Sequence, residues 1–103
     1  MTLTVYITES FEKEINKLSN FDKRIVKKLF QKLKQNPYLG DPIRYTFFRE
    51  KRLREKRIYY LVYEEINCIL MVAIGGKKTQ QATIDQIIED LPEFKRYIYS
   101  LSK

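Results

Sequence analysis

The sequence predicts a single α+β domain with an N-terminal strand, two helices, an antiparallel β-meander and a C-terminal helix. Three observations support this prediction. Apolar residues recur at helical spacing before residue 36 and again after residue 80. Two strand-sized apolar runs, 58–63 and 69–74, lie between these regions. The 103 residues suit one core, and no Gly/Ser-rich or Pro-rich linker divides them, so we expect one domain over 1–103.

The first strand and helix are predicted over residues 2–18. The β-rich run at 2–7 predicts the strand. Thr8 can cap the helix that follows, because its hydroxyl can accept a hydrogen bond from a first-turn N–H. Glu9 and Glu12 suit the positive end of the helix dipole. The apolar face of this helix follows an i, i+4, i+7 spacing: Phe11, Ile15 and Leu18.

A longer helix lies between a break at Ser19-Asn20 and a stop at Asn36-Pro37. Asn20 is its predicted cap, and the helix ends because proline disfavours helical backbone in the residue before it. Its apolar residues recur about every four positions: Phe21, Ile25, Val26, Leu29, Phe30 and Leu33. Its outer face is basic: Lys23, Arg24, Lys27, Lys28, Lys32 and Lys34. We interpret this face as solvated surface, with contact to a polyanion as the alternative.

The next region predicts a meander of three strands. A loop over 37–42, with Gly40 at a turn, leads into three β-rich runs: 43–48, 58–63 and 68–74. The segment 64–67 predicts the hairpin between the last two runs. Glu55-Lys56 is the first choice for the other turn and Glu50-Lys51 the second, although neither pair contains a typical turn residue.

The residues after Gly75-Gly76 predict a C-terminal helical segment, which we bound at 85–103. Its apolar stripe is interrupted by Pro92: Ile84, Ile87, Ile88 and Leu91 precede it, and Phe94, Tyr97, Ile98 and Leu101 follow it. We expect this segment to pack onto the domain, the alternative being a surface for a second chain. We also expect the first strand to pair within the sheet. The first two helices are expected to cover one sheet face and leave the other partly open.

The composition excludes several kinds of chemistry. With no His and one Cys, the chain has no Ser-His or Cys-His catalysis, no internal disulfide and no Cys- or His-based metal site. No stretch reaches the roughly 20 apolar residues of a membrane span. Residues 1–5 lack the pattern of a signal peptide. We therefore expect a cytoplasmic protein without a metal or cofactor, and we interpret Cys68 and Met71 as core residues.

The net charge of +7 is unevenly distributed. Residues 1–48 carry nine basic and five acidic residues, and residues 58–103 carry five basic and six acidic ones. The nine residues 49–57 alone carry six basic and two acidic residues. Folding does not require so many cations together, because they repel one another, whereas a phosphate backbone matches such a cluster. Lys77 and Lys78, at the end of the next strand, can lie beside it. The sequence therefore favours nucleic-acid binding.

Aromatic residues are interleaved with this basic cluster: Tyr45, Phe47, Phe48, Tyr59 and Tyr60. They have two interpretations. Aromatic rings can stack on nucleic-acid bases. They can also belong to the core of the sheet, and alternate positions along each strand must do so.

Several short motifs occur in one order along the chain: Ser10-Phe11-Glu12-Lys13, Asn36-Pro37, Arg52-Leu53-Arg54-Glu55, the strand 57–62 and Gly75-Gly76-Lys77-Lys78. Together with the element order, they resemble the RelE/ParE superfamily of type II toxin–antitoxin toxins. The resemblance covers residues 3–91. The segment Lys77-Lys78-Thr79-Gln80-Gln81 is similar to the tail of HigB-like members.

The resemblance implies an activity and partners. RelE-like toxins enter the ribosomal A site and cleave mRNA, with the RNA's own 2′-hydroxyl attacking the adjacent phosphate, and a cognate antitoxin neutralises them. We therefore expect a toxin that acts as a ribosome-dependent endoribonuclease, or mRNA interferase. Its expected partners are the ribosome, mRNA and an antitoxin. The alternatives are a ParE-like inhibitor of DNA gyrase and a non-catalytic RNA-binding module or decayed toxin.

The resemblance also implies site residues. Arg57 matches an arginine that binds phosphate or stabilises transition-state charge, and Lys77 falls where these toxins often carry arginine. The predicted catalytic residues are Arg57, Lys77, Arg54 and Lys78. The predicted RNA- or phosphate-binding residues are Arg49, Lys51, Arg52 and Lys56.

One departure from the family pattern bears on catalysis. Thr83 stands where RelE-like toxins often carry Tyr or His. Without His, the proton acceptor must be a neutral lysine or a carboxylate. Crowded cations favour the neutral form of a lysine. The candidates are Lys51, Lys56, Lys77, Lys78, Glu50 and Glu55.

Overall fold

The computed structural model describes residues 2–102; Met1 and Lys103, which end the predicted 1–103 domain and 85–103 segment, lie outside the described residues. The elements are strand β1 (Thr4–Ile7), helices α1 (Glu9–Asn16) and α2 (Asn20–Gln35), strands β2 (Asp41–Ile43), β3 (Tyr45–Leu53), β4 (Lys56–Tyr63) and β5 (Cys68–Gly76), and helices α3 (Gln80–Glu89) and α4 (Leu91–Leu101). A 3-10 turn, Glu64–Ile66, joins β4 to β5. The predicted α+β class is confirmed.

The strands form one five-stranded sheet in the order β1-β5-β4-β3-β2. Strands β3, β4 and β5 are antiparallel neighbours, which confirms the predicted meander. The expectation that the first strand joins the sheet is also confirmed, because β1 pairs with β5 in parallel. Strands β3, β4 and β5 therefore lie inside the sheet, with a neighbour on each side.

The two N-terminal helices begin at side-chain caps. Thr8 caps α1 as predicted, with its Oγ1 accepting a hydrogen bond from the Phe11 N–H at 3.1 Å. The predicted cap of α2 is wrong by one residue. Ser19, not Asn20, accepts a hydrogen bond from the Asp22 N–H, at 3.1 Å. Both residue types are good caps, so composition alone does not separate them.

Phe21 is not part of the buried face of α2. It is 54% exposed, whereas Val26, Leu29 and Leu33 are buried. A spacing of four residues advances about 40° beyond a full helical turn, so the predicted stripe rotates around the helix. Phe21 therefore lies well away from the face that Leu33 presents to the sheet.

The meander differs from the prediction in three places. Residues 41–42, predicted as the end of the loop, form the short edge strand β2 together with Ile43. Pro42 is tolerated there because one side of an edge strand is unpaired. Strand β3 continues past 48 to Leu53. The β3–β4 turn is Arg54-Glu55, one residue before the first choice, Glu55-Lys56; Glu50-Lys51 is wrong. Arg54 has φ 53° there, a conformation that its residue type does not indicate.

Both faces of the sheet are covered, so the prediction of a partly open second face is wrong. Helices α1 and α2 cover one face, where Ile58 and Tyr60 are buried. Helices α3 and α4 cover the other, where Tyr59 and Leu61 are buried. The continuous apolar run of β4 reflects this burial on both sides. Within the predicted C-terminal segment, residues 85–89 end α3 and residues 91–101 form α4, with Pro92 in the first turn of α4.

The loop between α2 and β2 is fixed to the sheet by Tyr60. Its hydroxyl donates a hydrogen bond to the Pro37 carbonyl oxygen and accepts one from the Gly40 N–H, both at 2.9 Å. A Cβ at Gly40 would lie 2.6 Å from the Glu50 carbonyl oxygen, so only glycine fits this close approach. The loop therefore packs closely against the β3 backbone at Glu50.

Candidate nucleic-acid interface

An open groove of about 830 Å³ lies where the β3–β4 turn, the end of β5 and the start of α3 meet. Its lining carries six basic residues and one acidic residue. The lining residues are Arg52, Arg54, Glu55, Lys56, Arg57, Gly76, Lys77, Lys78 and Thr79. The structure thus brings together all four predicted catalytic residues and two of the four predicted phosphate-binding residues.

Two arginines on adjacent strands are direct neighbours at the base of the groove. Arg52 on β3 pairs in register with Arg57 on β4, and both side chains leave the face that α3 and α4 cover. Like charges directly opposite each other destabilise a sheet. A bound anion between the two guanidinium groups would remove that repulsion, so this pair favours a negatively charged ligand.

Arg57 is the most enclosed cation of the groove. Its Nε donates a hydrogen bond to Glu50 Oε1 at 2.9 Å, and the two side chains are 11% and 19% exposed. Gln80, the first residue of α3, donates through Nε2 to the other Glu50 oxygen at 3.2 Å. Glu50 therefore joins the middle of β3 to the start of α3 and orients the Arg57 guanidinium toward the groove.

The start of α3 adds positive potential to the same groove. No side chain caps this helix, and its first turn holds no acidic residue. The first N–H groups of a helix lack partners within the helix and attract anions. Lys77 and Lys78 are exposed and lie one residue before the helix, separated from it by Thr79. Within residues 2–102, neither lysine forms an ion pair, and neither do Arg52 and Lys56.

Arg54 has a different setting, although it also lines the groove. Its Nη2 donates to Asp22 Oδ2 at 3.1 Å, and its guanidinium lies 5.3 Å from the centre of the Phe21 ring. The side chain is 60% exposed. Arg54 therefore links the β3–β4 turn to the first turn of α2. The exposed ring of Phe21 lies beside its guanidinium, near the groove.

Arg49 and Lys51 lie outside the groove, on the α1–α2 face of the sheet. The Arg49 guanidinium donates to the carbonyl oxygens of Tyr38 and Thr46, at 3.0 and 3.1 Å. Lys51 lines a smaller cleft beside Lys28 and Lys32 of α2. The structure thus separates these two predicted phosphate ligands from the other six site residues.

The aromatic residues near the basic cluster are mostly core. Phe48, Tyr59 and Tyr60 are fully buried, so base stacking is the wrong interpretation for them. Tyr45 and Phe47 stack on each other, with ring centres 5.0 Å apart, near the opposite end of β3. Exposed Phe21 was not predicted as a site residue, because helical spacing assigned it to the core.

Tyr59 belongs to the site in a role other than the base stacking that the sequence suggested for it. It lies opposite Glu50 in the β3–β4 register and is fully buried. Within residues 2–102, its hydroxyl has no hydrogen-bond partner. Burial raises the pKa of this hydroxyl, the Glu50 carboxylate raises it further, and Arg57 lowers it. The phenol thus stays protonated, beside the two charged groups at the base of the groove.

Thr83 is half-buried in the first turns of α3. If Gly75 carried a Cβ, that atom would lie 3.4 Å from the Thr83 Oγ1 and 3.6 Å from the Thr79 Oγ1. Position 83 therefore supplies a small hydroxyl close to the end of β5 and no ring. Proton transfer in this groove would depend on the lysines and carboxylates around it.

In the range 2–102, no group of three or more His, Cys, Asp or Glu side chains is placed to hold a metal ion. In the same range, no helix has the length and apolar character needed to cross a bilayer.

The fold defines the class: the chain has the RelE-like toxin fold. A doubly substituted RelE toxin from Escherichia coli, in the free state, matches with a TM-score of 0.70 and 18% identity over 84% of this chain and 99% of that chain. A chain of the archaeal RelE–RelB complex from Pyrococcus horikoshii matches with a TM-score of 0.70 and 19% identity, over 75% of this chain and 97% of that chain.

A chain of the RelBE2 toxin–antitoxin complex from Mycobacterium tuberculosis has a TM-score of 0.64 and 20% identity, over 75% of this chain and 100% of that chain. A scan with protein-family models finds no match, and a search of curated protein sequences finds none either. The likeness is therefore one of fold.

Proposed function

We propose that this chain is the toxin of a toxin–antitoxin pair and that it inhibits translation by cleaving mRNA on the ribosome. The basic groove carries this proposal, because it gathers Arg52, Arg57, Lys77 and Lys78 around one uncapped helix start. The RelE-like fold supports it, and so do solved RelE–RelB complexes, which suggest an antitoxin as the partner.

The proposed reaction is an internal transesterification of RNA. The 2′-oxygen attacks the adjacent phosphorus, and the bond from phosphorus to the 5′-oxygen of the next nucleotide breaks. The products are a 2′,3′-cyclic phosphate and a 5′-hydroxyl end. A base must accept the 2′-hydroxyl proton, and an acid must protonate the leaving oxygen. No cofactor is needed for this balance.

The groove contains groups that can bind the phosphate and groups that can accept the 2′-hydroxyl proton, and the protonated acceptor can then return that proton to the leaving 5′-oxygen. Arg57 and Arg52, which are paired across β3 and β4, would bind the non-bridging phosphate oxygens, and their planar guanidinium groups suit the charge of the transition state. The candidate proton acceptors are the carboxylate and lysine groups beside them: Glu50, Glu55, Lys56, Lys77 and Lys78. Lys51 lies on the other face and drops out of this set.

A reconstituted translation reaction tests the proposal. Purified protein is added to ribosomes translating a defined mRNA, and RNA length and protein synthesis are both measured. We expect shortened mRNA with 5′-hydroxyl ends and a fall in synthesis, each prevented by prior addition of the antitoxin. Intact mRNA and undiminished synthesis would refute it.

A second function, inhibition of DNA gyrase, is favoured by the small Thr83 side chain in place of an aromatic or imidazole group. A gyrase inhibitor binds a protein and needs no proton-transfer group. A supercoiling assay separates the two functions: loss of gyrase activity with intact mRNA supports the second, and full gyrase activity excludes it.

A further inference from the structure

Glu50 occupies the donors that a phosphate group would need. Its two carboxylate oxygens accept hydrogen bonds from Arg57 Nε at 2.9 Å and from Gln80 Nε2 at 3.2 Å. A phosphate also binds through two oxygens to a guanidinium group and to donors at a helix start. In the free protein, a carboxylate therefore stands where a phosphodiester would be expected to bind.

Tyr59 offers Glu50 a second place to bind. The two residues are direct neighbours across β3 and β4, on one face of the sheet. The Tyr59 side chain is fully buried, and its hydroxyl lacks a partner among the described residues. A buried, unpaired hydroxyl is unfavourable, so a state in which it donates to a carboxylate gains stability.

We propose that Glu50 competes with RNA phosphate for Arg57, and that phosphate binding displaces the carboxylate to accept a hydrogen bond from Tyr59. The exchange replaces one charge-assisted contact of Glu50 with another. The Glu50 carboxylate can therefore leave Arg57 with little loss of free energy when a phosphodiester binds. This inference rests on the proposed function, since it assumes that the groove binds RNA.

Binding of a short single-stranded RNA with 2′-O-methyl groups, which cannot be cleaved, tests the exchange at fixed ionic strength. Glu50→Ala removes the competitor and is expected to tighten binding by about tenfold. Glu55→Ala is the matched control, because it removes the same charge from the groove without freeing Arg57; its effect should be about twofold, from screened charge alone.

Tyr59→Phe tests the second half of the exchange. It removes the hydroxyl that would donate to the displaced Glu50 carboxylate, and it should weaken RNA binding by about fivefold in the wild-type background. The loss should vanish in the Glu50→Ala background, where no carboxylate needs a partner. A residue with only a packing role would weaken binding equally in both backgrounds. Thermal unfolding of each variant confirms that the chain is folded.

The outcomes separate this inference from the proposed function. If RNA binds and Arg57→Ala abolishes binding, while Glu50→Ala and Glu55→Ala behave alike, the competition is refuted and the groove stands. If the RNA binds none of the variants, or Arg57→Ala has no effect, the proposed use of the groove fails as well. A crystal structure with RNA bound and Glu50 still on Arg57 would also overturn the exchange.

Discussion

Arg57 pairs with one acidic neighbour, Glu50. The Glu50 carboxylate holds it at 2.9 Å in a site where both side chains are largely enclosed. The sequence predicted Arg57 as a site residue through family resemblance, and Glu50 as one candidate base. It did not predict that Tyr59 and Gln80 lie beside Glu50, because their proximity depends on strand register and on where α3 begins.

Substitution of Arg57 with Ala should leave the fold intact and abolish toxicity. Glu50 keeps its bond from Gln80, so the loss of the ion pair is partly compensated. Removal of one charged donor from a transition state typically lowers the rate by about 10² to 10³-fold. Growth after induced expression and mRNA cleavage are the readouts. Arg24→Ala, on the exposed face of α2, is the control; full toxicity of Arg57→Ala would refute the assigned role.

The pKa of Tyr38 makes the stability of the protein sensitive to alkaline pH. Burial, and then the Glu64 carboxylate, raise the pKa of Tyr38 from 10.0 to about 12. The folded state therefore retains this proton at a pH where the unfolded chain has lost it. The contribution of Tyr38 to stability is fully present below pH 10 and is lost as the pH rises toward 12.

Urea unfolding at several pH values tests this dependence. The free energy of unfolding should fall less between pH 10 and 12 in Tyr38→Phe than in the wild type. Other groups that titrate in this range are common to both proteins, so the difference isolates Tyr38. Identical slopes for the two proteins would show that its pKa is the same in the folded and unfolded states.

The β3–β4 hairpin shows what the sequence could and could not predict among the elements. The helices and the two apolar strands were predictable, because their apolar periodicity or continuity is strong. The turn was not, because Arg54 adopts φ 53° without being glycine or asparagine. A turn at Glu55-Lys56 would pair Arg54 with Arg57, whereas the observed register pairs Arg52 with Arg57 and frees Arg54 to bind Asp22.

The contact between the 37–40 loop and β3 depends on Gly40. In Gly40→Ala, the new methyl group would lie 2.6 Å from the backbone oxygen of Glu50, so loop or strand must move. Overpacking of this kind costs about 1–3 kcal/mol of unfolding free energy. Gly76→Ala is the matched control, since its Cβ would meet nothing within 4 Å. Equal stability of the two variants, measured in urea, would contradict the structure at this contact.

The two-sided covering of the sheet is a property of the whole molecule, and the prediction of a partly open second face was wrong. The apolar runs of β4 and β5 signalled burial on both faces, but they do not say which segment covers the second face. The stripe along the C-terminal segment was correctly expected to pack onto the domain. Its target became clear only from the structure, in which Ile98 is fully buried against the same face as Tyr59.

Two neighbouring substitutions in α4 test this covering. Ile98→Ala removes a fully buried side chain and should lower the free energy of unfolding by about 2–5 kcal/mol. Tyr97, next to it, is 41% exposed, and Tyr97→Ala should change stability by about 0.5 kcal/mol. Chemical denaturation of both variants provides the comparison. A small effect of Ile98→Ala would mean that α4 does not close the second face.

The central claim for the whole molecule is that its excess positive charge acts through one groove. The most direct test compares two double variants that lose the same charge in the translation reaction described above. Lys77→Ala with Lys78→Ala removes exposed lysines from the groove, and Lys27→Ala with Lys28→Ala removes exposed lysines from α2. We predict that mRNA cleavage is lost in the first variant and retained in the second. Equal cleavage by both, or no cleavage by the folded wild-type protein, would contradict the claim.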